Sequence, residues 1–228
     1  MIEIFERLKH YASLFQIKTP IEIKAGKPDI ESDYEVVFLS EQNKAIIRGL
    51  PDSLKKDMAE ICAMIKLGEK HPLLCTFVFQ EEATTDETIA KYCGMFVELC
   101  QPLQDAWGWR TIQAYLPEKE FKKEFQKLLK FYNTLKSMIP FMDSYHQRRI
   151  QIGAYLTFYA LGQNAKLKLL GKGKNRQEWQ RYIRALEELA LKDPDPHLLT
   201  KLPEIANAPY RVNIQSLPHW HYEVRGIN

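Results

Sequence analysis

At 228 residues, 45% hydrophobic and 27% charged, the chain can bury a substantial core and does not have a disordered composition. The formal net charge is only +3, but residues 1–116 hold 13 Lys/Arg against 18 Asp/Glu, and residues 117–228 hold 19 against 11. That balance argues against a uniformly basic nucleic-acid-binding domain and gives the two halves surfaces of opposite sign.

In chain order, residues 2–16 repeat Ile4, Phe5, Leu8, Tyr11 and Phe15 on one helical face, and Pro20 stops the helix. The start, "MIEIFERLKH", is charged from its third residue and does not read as a secretory signal, so a cytoplasmic, soluble protein is expected. "IEIKAGKPD" reads as a short strand entering a turn. "YEVVFLS" and "KAIIRGL" then read as a β-hairpin across the polar join "EQN". A helix follows from Pro51, with Asp52 or Ser53 as its cap and Gly68 as the left-handed residue beyond its end. The apolar run Leu73 to Phe79 is predicted as a central strand.

Thr84 and Glu87 have the spacing of a capping box, with a helical face of Ile89, Cys93, Phe96, Val97 and Cys100 running to Pro102. "WRTIQAYLP" alternates Ile112, Ala114 and Leu116 against polar residues, the pattern of a half-buried strand. Three helices are expected next: from Pro117 to about Met138, over 143–170, and over about 176–191 with Trp179, Ile183, Leu186 and Leu189 inward. From Asp193 onward five of twelve prolines occur in 36 residues, which predicts an extended arm docked on a surface. The fold class is α+β: a small mixed or antiparallel sheet with flanking helices in the first half, a helical layer in the second, and a C-terminal arm. The expected parts are 1–116, 117–192 and 193–228.

No motif carries a reaction. The loop "GKGKNR" lacks the strand, glycine spacing and Ser/Thr of a phosphate loop, so Gly171 and Asn175 read as end signals of two helices. Cys62, Cys75, Cys93 and Cys100 form no CxxC pair and read as reduced core thiols. His219 and His221 in "HWH" lack a third ligand, and Ser144 and His146 in "SYHQRR" lack a nucleophile elbow. The acids of "QEEATTDE" suit a helix start. Trp107 and Trp109, with Phe121, Phe125, Phe131 and Tyr132, read as core. No catalytic, cofactor or metal site is therefore expected, and the chain reads as non-catalytic.

What stands out is charge. Lys166, Lys168, Lys172, Lys174, Arg176, Arg181 and Arg184 fall within 19 residues that contain one acid, Glu178. They form the candidate partner-binding patch, with Arg148, Arg149 and Trp220 as an alternative. An acidic protein partner is the first reading. Nucleic acid held through phosphate contacts is the alternative, with a sequence pI of about 8.5 and no RNP-like, zinc-finger or KH motif beside it.

The order helix, three strands, helix, strand, helix over residues 2–103 resembles small secretion chaperones, in which a sheet and flanking helices hold a partner segment. With the start "MIEIFERLKHYASLFQ" and a mass of 26.7 kDa, the whole chain also resembles accessory adaptors of the Legionella type IV coupling complex. That resemblance implies binding to a coupling ATPase tail beside small acidic secretion chaperones, and help in recruiting effectors. It carries no functional residue across, because no motif matches residue by residue.

Overall fold

The computed structural model describes residues 2–26, 34–42, 44–138, 144–163, 174–217 and 219–227. Small sheets flanked by helices make the chain α+β, as its pattern predicts. Two compact units divide it, each discontinuous in sequence: Met1–Phe77 with Thr111–Phe121, and Val78–Arg110 with Lys122–Asn228. Among the described residues no helix is long and apolar enough to cross a membrane.

The first unit opens with α1 (Ile2–Leu14), whose Ile4, Leu8 and Tyr11 are buried, while Phe5 points out at 52% exposure. Its three strands are β1 (Ile21–Ala25), β2 (Tyr34–Leu39) and β3 (Lys44–Gly49). The expected hairpin is present: β2 and β3 pair antiparallel, Val36 opposite Ile47 and Phe38 opposite Ala45. β1 lies on the other side of β3 and runs parallel to it. The consecutive buried residues Ala45, Ile46 and Ile47 show that β3 is covered on both faces.

Two helices follow, α2 (Pro51–Lys56) and α3 (Met58–Lys70), separated at Asp57. Neither Asp52 nor Ser53 caps α2. Leu50 is its cap residue, without a side-chain bond, and Pro51 takes the first position. Gly68 is not a left-handed terminus but lies inside α3, buried where the helix meets Phe38.

Leu73 to Phe79 is not a strand. Pro72–Leu74 make a single 3-10 turn, capped by His71 Nδ1 accepting Leu73 N at 3.2 Å. This turn buries Leu73, Leu74 and Cys75 in succession. Thr76 then closes the edge of β2 with its hydroxyl, accepting Phe38 N at 2.8 Å and donating to Val36 O at 3.4 Å. A side chain thus fills the place that a fourth strand's backbone would take.

The link from α1 to β1 is held by one carboxylate. Glu69 Oε1 accepts the Lys18 and Thr19 amides at 2.5 and 2.8 Å, and Lys66 Nζ meets Glu69 Oε2 at 2.8 Å and Gln16 O at 3.0 Å. Gln16 sits at φ 51°, a left-handed turn that these bonds pin. Burial raises the Glu69 pKa, but the bonds from Lys66, Thr19 and Lys18 outweigh it and hold the carboxyl below its ordinary 4.5. The folded value is the lower one, so the stabilisation is complete above about 4.5 and disappears as pH falls through the folded pKa. Glu69→Gln is expected to cost about 1–3 kcal/mol at neutral pH in urea titrations, and the gap to the parent protein should close in strong acid. A gap independent of pH would show that charge plays no part.

The second unit is mostly helical. α4 (Glu87–Tyr115) runs for 29 residues, those from Thr111 onward belonging to the first unit, and contains Pro102, so neither the predicted helix stop nor the strand over "WRTIQAYLP" exists. Phe96, Cys100, Leu103, Ala106 and Trp107 are buried on both sides of Pro102, and that packing outweighs the one backbone bond a proline removes. Ile112 and Leu116 are buried but Ala114 is exposed, so the apparent alternation was part of a helical face. Asp86, not Thr84, caps α4: its Oδ1 accepts Thr88 N at 2.8 Å and Ile89 N at 3.1 Å. The Thr84 hydroxyl instead donates to Glu81 O at 2.7 Å.

The expected helices after Pro117 are α5 (Glu118–Met138), α6 (Ser144–Ala160) and α7 (Lys174–Ala190). α6 ends at a left-handed Gly162, φ 69°, and the predicted continuation over 164–170 lies outside the described residues. Phe158 of α6 meets Phe125 and Tyr132 of α5 at 5.8 and 5.5 Å.

Where an extended arm was expected, the chain makes two single turns, α8 (Pro196–Leu199) and α9 (Leu202–Ile205). A hairpin of β4 (Tyr210–Gln215) and β5 (His221–Gly226) follows. Tyr210, Val212, Tyr222 and Val224 are buried. β5 is completed by residues 78–80: Tyr222 N donates to Val78 O at 2.7 Å, and the Gln80 amide pairs with both backbone groups of Val224 at 2.7 and 3.1 Å. Phe96 packs edge-on to Tyr222 at 5.0 Å and Phe79 at 6.4 Å.

Candidate partner-binding site

α7 has two faces at helical spacing. Tyr182, Ile183, Leu186, Leu189 and Ala190 are buried, whereas Gln180, Arg181, Arg184 and Glu188 are exposed. The exposed residues and half-buried Ala185 line an open groove of about 440 Å³. Neither guanidinium forms an ion pair with a described residue. The groove therefore presents two planar cations one turn apart, beside an amide and one carboxylate, which suits carboxylate groups accepted in pairs.

The helix carrying this strip is fixed from behind. Trp107 Nε1 donates to Leu189 O at 3.2 Å, and Arg110 Nη1 donates to Ala190 O and Lys192 O at 2.6 and 2.8 Å. The Arg110 cation thus satisfies carbonyls at the negative end of α7. Tyr182 OH donates to Leu99 O at 3.1 Å, and Tyr155 OH donates to Glu187 Oε1. Burial, then the bond to Glu187, pushes the Tyr155 phenol up to about 12, so it remains a donor at neutral pH.

Of the predicted patch, Arg181 and Arg184 are brought together on the groove. Lys166, Lys168 and Lys172 lie outside the described residues, as does Gly171. Lys174 and Arg176 belong to the first turns of α7, and Arg148 and Arg149 to those of α6, but their side chains lie outside the described residues. The helix begins at Lys174, one residue before Asn175, the expected cap. Trp220 is 41% exposed in the loop before β5. Trp107 and Trp109 are buried, as a core role predicts.

The groove residues Gln180, Ala185 and Glu188 were not singled out from the sequence. Their spacing from Arg184, opposite Ile183 and Leu186, was the available signal. Arg110 had none, because its acceptors lie 80 and 82 residues away.

Nucleophile chemistry has no support at the cysteines. All four are free and buried, and burial pushes Cys62 and Cys75 up to about 12, Cys93 to about 11 and Cys100 well above the usual range. They are neutral thiols near pH 7. His221 Nδ1 donates to His219 O at 2.8 Å, which occupies one imidazole nitrogen of "HWH". Among the described residues no group of three or more His, Cys, Asp or Glu is placed to hold a metal. No protein-family model, curated protein or solved structure matches the chain.

Proposed function

We propose that this protein is a non-catalytic adaptor that holds an acidic segment of a partner protein on the outward face of α7. The carrying observation is the Arg181–Arg184 pair, exposed on a groove whose helix is anchored through Trp107, Arg110 and Tyr182. Anchoring matters because a rigid platform loses little freedom on binding, and arginine is enriched where partners contribute most binding energy. The helix, three strands and helices of residues 2–70 add the resemblance to secretion chaperones, without the fourth strand. The partner chemistry this implies is a coupling ATPase tail or a small acidic secretion chaperone, in the service of effector recruitment.

The test uses a purified acidic secretion chaperone and a coupling ATPase tail peptide as probes, titrated by calorimetry. Arg181→Glu with Arg184→Glu should leave the circular dichroism spectrum unchanged and weaken binding at least about tenfold. Unchanged affinity would remove α7 from the interface. Exposed Lys122, Lys123 and Lys130 on α5 favour one competing reading, nucleic acid, so a DNA duplex is titrated in parallel. Tight duplex binding with a steep salt dependence, and none to the acidic probes, would replace the adaptor reading.

A further inference from the structure

One edge of the three-stranded sheet is closed and, among the described residues, the other is open. Thr76 occupies the outer edge of β2, while β1 forms the opposite edge. On its inner side, Ala45 N donates to Pro20 O and Gly26 N donates to Gly49 O. Backbone groups alternate in direction along a strand, so even-numbered residues from 20 to 26 face β3. The N–H and C=O groups of Ile21, Ile23 and Ala25 therefore point outward. No hydrogen bond joins them to a described residue. β1 contains no proline and pairs residue for residue with β3, so neither a proline nor a bulge blunts this edge; its one lysine, Lys24, has a complementary Glu22 two residues away.

We propose that β1 pairs with β1 of a second copy of this chain, antiparallel, about a two-fold axis through Ile23. The sequence Ile-Glu-Ile-Lys-Ala is self-complementary in that register. Ile23 opposes the partner's Ile23, Ile21 opposes the partner's Ala25, and Glu22 opposes the partner's Lys24. The outward backbone groups belong to the odd-numbered residues, so the Ile23–Ile23 and Ile21–Ala25 pairs exchange hydrogen bonds. The Glu22–Lys24 pairs then fall at the non-hydrogen-bonded positions, where opposed side chains come closest and opposite charges are favourable. Two-fold symmetry supplies each unlike pair twice.

The Glu22 and Lys24 side chains are 39% and 48% exposed, so both are accessible to a partner, although Lys44 and Lys24 of the same chain already lie near Glu22. Ile21 and Ile23 are half-buried, and a second strand would cover what they still expose. Charge also selects the direction, because a parallel in-register pairing would set Glu22 against the partner's Glu22. This interface uses no residue of the α7 groove, so it stands or fails separately from the adaptor reading.

Sedimentation equilibrium of the full chain should give a mass rising with concentration from 26.7 kDa toward twice that value. Amide exchange followed by NMR should show Ile21, Ile23 and Ala25 becoming protected over the same range, with Glu22 and Lys24 protected throughout. Glu22→Lys alone and Lys24→Glu alone should each weaken self-association about tenfold or more. An equimolar mixture of the two variants should restore it, since each supplies the charge the other now needs. If either variant fails to fold, the alternating amide pattern of the unaltered chain decides the question. A monomer at every concentration, or a dimer indifferent to both charge reversals, or one with freely exchanging Ile21, Ile23 and Ala25 amides, would overturn the proposal.

Discussion

Trp107→Ala is expected to lower the stability of the unit that contains it by about 3–5 kcal/mol, the usual range for emptying a buried tryptophan site. Trp107 has no exposed surface, and Leu103 and Ala106 of the same helix are buried with it. Its indole N–H also satisfies Leu189 O, a carbonyl in the last turn of α7. Truncation would leave both a cavity and a buried acceptor without its donor. Small domains have about 5–15 kcal/mol in total, so much of the native population would be lost on warming. Trp107→Phe separates the two contributions: the ring volume largely stays, the hydrogen bond goes, and the cost should fall to about 1–3 kcal/mol. Urea midpoints with unchanged slopes would report both values. A loss below about 1 kcal/mol for the alanine variant would contradict the packing described for Trp107.

The second large effect is at Gly68, where helix propensity and packing oppose one another. Alanine in a helix interior is favoured over glycine by about 1 kcal/mol. Here a Cβ would stand 2.5 Å from Phe38 Cδ2 and 3.0 Å from Cys75 Cβ. Overpacking of that kind costs about 1–3 kcal/mol or more, so Gly68→Ala should destabilise on balance. Phe38→Leu in the same background should recover part of the loss, and the two changes should be non-additive because they share one contact. A Gly68→Ala variant as stable as the parent would mean that Phe38 moves aside freely.

Much of this architecture was readable from local pattern. The β2–β3 hairpin followed from β-branched residues around a short polar join, and α5 and α7 from clean apolar spacing. The failures share a physical cause. Leu73 to Phe79 looks like one strand, yet its residues are claimed by different partners: Thr76 by β2 and Phe79 by β5. Residues 111–116 looked alternating because a helical face can mimic period two over so short a stretch. At Pro102 the sequence signal for a helix end was real, and tertiary packing overrode it. For the candidate site, Arg181 and Arg184 were legible as charge at helical spacing. What holds α7 in place was not, since Trp107, Arg110 and Tyr182 act on backbone carbonyls 80 to 83 residues away, which leave no trace in composition.

The pairing of Gln80 with Val224 spans 144 residues and bears on how the chain must be made. During synthesis on the ribosome, residues 78–80 emerge long before β5 exists. Until then Phe79 and Phe96 lack the Tyr222 ring that packs against them. A nascent or prematurely released chain ending before His221 would therefore display an unsatisfied aromatic surface, the kind that chaperones capture and proteases clear. Packing around Phe79 and Phe96 is therefore completed only by a strand made 144 residues after Gln80, so this part of the unit closes after synthesis of β5 and not before.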